Sequence, residues 1–85
     1  MPTKKDMRQE MHWVSDDGYT HLDIVRITGD ELTWDATLHF FPRTGLTGTY
    51  NDFDKMLEDI LPFMFGADLS LNEGRTLMSQ ILAMR

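Results

Sequence analysis

The three histidines are the residues best suited to chemistry in this chain of 85 residues, which contains no cysteine. Pairing the first two predicted strands through an Asp-Gly turn places His12 opposite Asp23. The same pairing puts His21 nearby on that face, while His39 is expected on the other face. A His-His-Asp cluster could bind a metal ion. Its spacing matches no metal motif, however, so we expect a cross-strand His12–Asp23 hydrogen bond, no metal and no other cofactor.

The sequence also contains no recognisable nucleophile motif and no acid–base pair. No serine lies in a Gly-x-Ser-x-Gly turn, and the lack of cysteine removes thiol nucleophiles, thiolate zinc sites and disulfides. Paired acids fall at two predicted turns and on the polar face of a predicted helix, where solvation is the usual state: Asp16-Asp17, Asp30-Glu31 and Glu58-Asp59. We find no general acid–base pair and expect that the protein is not an enzyme.

The charge and hydropathy of the chain limit the classes of molecule that it is expected to bind. A net charge of −6 and scattered basic residues argue against direct nucleic-acid binding, which requires a basic patch. The longest apolar run, residues 60–65, contains Pro62 and is far shorter than the about 20 residues of a membrane span. No apolar leader is visible at the N-terminus. We therefore expect a cytoplasmic protein without membrane or nucleic-acid partners, whose partner is another protein with a basic surface.

Hydrophobic periodicity predicts three or four strands followed by two helices. Strands are expected at 11–15, 19–28 and 31–41, with a shorter fourth at 46–50, because apolar and polar residues alternate between turn signals. Helices are expected at 52–61 and 71–84, the first ending or kinking near Leu61 because of Pro62. The predicted fold is α+β: an antiparallel three- to four-stranded meander followed by two amphipathic helices packed on one sheet face. Residues 1–10 are expected to form a flexible N-terminal arm, and residues 11–85 a single domain.

Two features of the second predicted helix, its first turn and its glycine, lead to structural expectations. Ser70 and Glu73 have the spacing of a capping box at its start. Gly74 lies on its apolar face with Leu71, Leu77, Met78, Ile81 and Leu82. Because glycine weakens a helix, we expect another element of the chain to approach closely at Gly74.

Strand register decides which sheet face the helices cover. Pairing Ile27 with Leu32 gives a covered face made of Val14, Val25, Ile27, Leu32, Trp34, Ala36, Leu38 and Phe40. The opposite face then carries Trp13, Leu22, Ile24 and Phe41, joined by Leu46 and Tyr50 if the fourth strand pairs. This second face is either covered by the N-terminal arm or open to a partner. A slip of one residue would exchange the two faces.

The leading functional hypothesis is a non-enzymatic protein-binding module. Its contact surface would combine the aromatic residues of the second face with the acidic hairpin tips: Trp13, Phe41, Tyr50, Asp16, Asp17, Asp30 and Glu31. One version is a small acidic inhibitor, encoded by a phage or mobile element, of a host nucleic-acid enzyme or defence system; it rests on size and charge. The alternative is a structural homo-oligomeric subunit, such as a homodimer. A small enzyme or ligand carrier is a third class.

Overall fold

The chain forms a four-stranded antiparallel sheet followed by two helices. The computed structural model describes residues 7–40, 43–66 and 69–85. The strands are β1 (Met7–Val14), β2 (Thr20–Thr28), β3 (Leu32–Phe40) and β4 (Arg43–Tyr50), arranged in the order β1-β2-β3-β4. The helices are α1 (Phe53–Gly66), which contacts β3 and β4, and α2 (Leu71–Leu82), which contacts β1. The predicted α+β meander is confirmed.

Strand β1 begins four residues earlier than expected. Residues 7–10 pair with β2 and belong to the sheet, so they are not part of an arm. The turn after β1 forms as expected at Gly18, whose φ of 77° lies in the left-handed region that glycine tolerates. The Asp17 carboxylate supports this turn by accepting hydrogen bonds from the Ser15 hydroxyl and the Tyr19 amide.

The register of β1 against β2 is confirmed, but that of β2 against β3 is wrong by one residue. Val14 pairs with His21 as predicted. Thr28, not Ile27, pairs with Leu32. The loop between β2 and β3 therefore contains three residues instead of two, and the Gly29 amide donates to the Glu31 carbonyl inside it. Because side chains alternate between faces, this one-residue difference exchanges the faces of β1 and β2 relative to β3.

The exchanged faces bring the largest apolar side chains of the sheet together under the helices. Leu22 pairs with Leu38, and both are buried; Trp13 pairs with Leu22 and is 8% exposed. The covered face thus combines Met11, Trp13, Leu22, Ile24, Trp34, Ala36 and Leu38. The helices contribute Phe53, Met56, Ile60, Leu77 and Ile81, with Met84 after α2. The expectation that Val14, Val25 and Ile27 form the covered face is wrong; they lie on the opposite, open face.

The two helices run antiparallel and are joined at one end by specific contacts. The Arg85 guanidinium binds the Asp54 carboxylate at 2.7 Å and stands 5.0 Å from the centre of the Phe53 ring. The Trp34 indole N–H donates to the Met84 carbonyl at 2.7 Å, which fixes the chain end after α2 to the sheet. Helix α1 continues through Pro62 to Gly66, so the prediction that it ends near Leu61 is wrong.

Candidate functional site

Two of the three aromatic residues predicted to bind a partner, Trp13 and Tyr50, pack in or against the core. Trp13 is buried in the core, so the prediction that it faces away from the helices is wrong, and the register slip is the reason. Tyr50 pairs with Trp34, is half-buried against the core, and donates its hydroxyl to Asp59 at 2.9 Å. Burial, together with this carboxylate, raises the pKa of Tyr50. Phe41 lies outside the described residues.

The four acidic turn residues form two separate groups at opposite ends of the sheet. Asp16 and Asp17 lie in the β1–β2 turn, whereas Asp30 and Glu31 lie in the β2–β3 loop. Strand β2 separates the groups by nine residues, or about 30 Å at about 3.3 Å per residue. That both groups belong to one contact surface stays a prediction, and such a surface would have to extend over this distance.

The β1–β2 turn is attached to the first turn of α2 through Glu73. The Glu73 Oε2 atom accepts the Asp16 amide at 2.8 Å, and its Oε1 atom accepts the Ser70 amide at 3.1 Å. The Ser70 hydroxyl accepts the Glu73 amide in return, which confirms the predicted capping box. The hydrogen bonds from the Asp16 amide and then the Ser70 amide lower the pKa of Glu73. Asp16 and Asp17 are consequently held beside the N-terminus of α2.

The histidines share the open face of the sheet. His12 and Asp23 form the predicted cross-strand hydrogen bond, with Nδ1 and Oδ1 2.6 Å apart, and this bond raises the pKa of His12. His39 pairs directly with His21, so it lies on the same face and not on the other one. Within residues 7–40, 43–66 and 69–85, no group of three or more histidine, aspartate or glutamate side chains is placed to hold a metal ion.

An apolar groove of about 510 Å³ lies between the two helices, and sequence reasoning missed it. Leu61 and Met64 form its wall on α1, while Leu71, Gly74, Arg75 and Met78 form its wall on α2. Leu69 and Ser70, which precede α2, complete the lining. We call these eight residues the helix groove. They place an almost entirely aliphatic and thioether surface in contact with solvent.

Leu71 is the most exposed large side chain of the helix groove. It is 72% exposed, and Leu82 on the same helix is 45% exposed, although both were expected to face the core. The core-facing residues of α2 are instead Leu77 and Ile81. Leu71, Gly74 and Met78 follow the spacing i, i+3, i+7 and form a second apolar stripe beside them. That second stripe was the available sequence signal for the helix groove.

Gly74 opens onto the helix groove, and no described residue approaches its open side. A methyl group added at its Cα would meet no heavy atom of the described residues within 4 Å, so the expected close approach to Gly74 is not made by any element that the structure describes. Glycine inside a helix costs about 1 kcal/mol relative to alanine. Packing among the described residues therefore does not account for the glycine.

Acidic residues lie near both walls of the helix groove. Glu58 is exposed and lies one helical turn before Leu61 on α1. Asp16 and Asp17 lie beside the other end, where α2 begins. We call Asp16, Asp17 and Glu58 the acidic rim. Arg75 is an exposed cation of the groove lining, while Arg85 is bound to Asp54.

No protein-family model, curated protein or solved structure matches this chain. Among the residues that the structure describes, none of the helices is long and apolar enough to cross a membrane. The helix groove and its acidic rim are therefore the features from which a function can be inferred.

Proposed function

We propose that this chain is a non-enzymatic protein-binding module whose contact surface is the helix groove. The observation that supports this proposal is the 72% exposure of Leu71 at the edge of an apolar groove of about 510 Å³. Burying an apolar side chain of this size stabilises a complex by about 1.5–3 kcal/mol. Contiguous exposed apolar surface is typical of sites that contact another macromolecule.

The lining favours a protein segment over a small molecule as the occupant. Small-molecule sites combine apolar walls with a few converging polar groups that orient the ligand. In the helix groove the polar side chains are Ser70 and Arg75, and the Ser70 hydroxyl is already occupied by the Glu73 amide. Met64 and Met78 add flexible, polarisable surface, which can adapt to the side chains of a protein partner.

The acidic rim favours a partner with a basic surface. Complementary charge around an apolar contact speeds association and selects among partners, and its effect decreases as salt screens it. A small acidic module of this kind suits an inhibitor, encoded by a phage or mobile element, that blocks a basic site on a host nucleic-acid enzyme or defence protein. The support for this version is the 85-residue length and the net charge of −6.

Two charge substitutions at exposed apolar residues test the proposed surface. Leu71→Asp places a carboxylate at the helix groove, and Val14→Asp places one on the open sheet face, where Val14 is 50% exposed. The immobilised chain and both variants are compared for retention of the same protein from a lysate of the source cells. We expect Leu71→Asp to abolish retention and Val14→Asp to preserve it. Loss only with Val14→Asp would refute the helix groove as the contact surface.

A structural homo-oligomeric subunit is the second candidate. The open sheet face presents Val14, Val25 and Ile27, and two such faces could pack against each other. This candidate predicts a dimer or larger species in light scattering at micromolar concentration, converted to monomer by Val14→Asp. The protein-binding proposal predicts a monomer in the absence of its partner.

A further inference from the structure

We infer that the helix groove binds a basic amphipathic α-helix of another protein, which crosses α2 at Gly74. This inference rests on the proposed function, because it specifies the occupant of the same surface. It draws on three independent features: the unexplained glycine, the shape of the groove and the charge around it.

Gly74 makes close approach of a helix possible. The position faces the groove, and nothing in the described chain occupies the space beyond its Cα. Helices pack at axial separations of about 8–10 Å, and small side chains at the crossing point permit the shorter separations. The glycine weakens α2 without contributing to its packing on the sheet. A glycine at this position would be explained by a partner backbone that passes directly over it, because a larger side chain would hold the two helices apart.

The shape of the helix groove suits about two turns of a helix. Leu71 and Met78 lie on either side of Gly74 along α2, and seven residues at 1.5 Å rise separate them by about 10 Å. Leu61 and Met64 on the antiparallel helix α1 form the facing wall. Apolar side chains at i, i+3 or i+4, and i+7 of a third helix could contact both walls over this distance.

The charge around the helix groove favours a basic partner over a second copy of this chain. The chain carries a net charge of −6, so two copies repel each other. In a self-association through this surface, the acidic rim of one copy would meet that of the other. Lysine and arginine residues flanking the apolar stripe of a partner helix would instead lie near Asp16, Asp17 and Glu58.

The test uses two designed helical peptides of about 20 residues with the same leucine stripe. One peptide carries lysine on both flanks of the stripe and the other carries glutamate. Binding is measured by calorimetry at low salt and mapped by nitrogen-15 NMR. We expect the lysine peptide to shift resonances of residues 61–64 and 69–78 selectively. The glutamate peptide is expected to bind at least about tenfold more weakly, a difference of about 1.4 kcal/mol.

A pair of alanine substitutions on α2 separates helix stability from binding. Gly74→Ala should raise the thermal midpoint by about 4–8 °C, because alanine is the better helix former. It should also weaken the lysine peptide at least about fivefold, because the added methyl group separates the two helices. Thr76→Ala is the matched control, since Thr76 is exposed on α2 and does not line the groove. This control should raise the midpoint and leave the affinity unchanged.

Three results would overturn the inference. They are unchanged affinity in Gly74→Ala, equal binding of the two peptides, and shift changes spread over acidic surface away from the groove. Failure here is distinguishable from failure of the proposed function. If Leu71→Asp abolishes retention of the protein partner while Gly74→Ala has no effect, the groove remains the contact surface but its occupant does not cross at Gly74.

Discussion

The hydrogen bond between Trp34 and the Met84 carbonyl should make Trp34→Phe much more destabilising than the same change at Trp13. Both indoles are nearly buried, at 4% and 8% exposure. The Trp34 N–H donates to the Met84 carbonyl at 2.7 Å, whereas Trp13 makes no hydrogen bond through its indole among the described residues. The two substitutions remove the same atoms, so their difference reports the hydrogen bond.

The expected cost follows from these contacts. Loss of buried ring surface costs roughly 1–2 kcal/mol at either position, at about 25 cal/mol per Å². Leaving the Met84 carbonyl without its donor adds about 1–3 kcal/mol for Trp34→Phe alone. The T-shaped contact of Trp34 with Phe53, at 5.7 Å between ring centres, can be kept by a phenylalanine. We therefore expect Trp34→Phe to lower the free energy of unfolding by about 2–5 kcal/mol and Trp13→Phe to lower it by about 1–2 kcal/mol.

Urea unfolding followed by far-ultraviolet circular dichroism measures both values. The total stability expected for 85 residues is roughly 4–13 kcal/mol, so Trp34→Phe should move the midpoint substantially while the slope stays constant. Each variant keeps one tryptophan, whose fluorescence gives an independent midpoint. Costs that agree within about 0.5 kcal/mol would refute the reasoning, because the Met84 contact would then contribute nothing measurable.

Three further perturbations probe local features of the fold. Because the pKa of Glu73 is lowered in the folded protein, its ionised carboxylate stabilises the fold above the unfolded pKa of 4.5, and this stabilisation is lost as the pH falls through the folded pKa. Thermal midpoints should therefore decline below about pH 4.5. An equal decline in Glu73→Gln would contradict this origin. Proton NMR should place the pKa of His12 above 6.5, and Asp23→Asn should lower it; titration unchanged by Asp23→Asn would rule out the hydrogen bond as the cause. Gly18→Ala should cost about 1–2 kcal/mol in urea unfolding because its φ is 77°, whereas Gly18→Asn should cost less; equal costs would exclude backbone strain.

Features that depend on neighbouring residues were predictable from the sequence. The Asp-Gly turn determined the β1–β2 register, and with it the His12–Asp23 hydrogen bond, because a tight turn permits few pairings. The Ser70–Glu73 capping box was predictable because both partners lie within one helical turn. The alternating and the helical hydrophobic periods were sufficient to predict the α+β class and the order of the strands and helices.

The faces of the sheet and the helix groove depended on contacts between residues far apart in the chain. One additional residue in the β2–β3 loop moved Trp13 into the core, and no local pattern distinguishes a two-residue loop from a three-residue loop there. The bond between Asp16 and Glu73 joins residues 57 positions apart, which brings acidic turn residues to the start of α2. The spacing of its apolar residues predicts one broad apolar face on α2. Because packing on a sheet buries only one side of a helix, that face is divided in the folded protein: Leu77 and Ile81 are covered, while Leu71, Gly74 and Met78 line the helix groove.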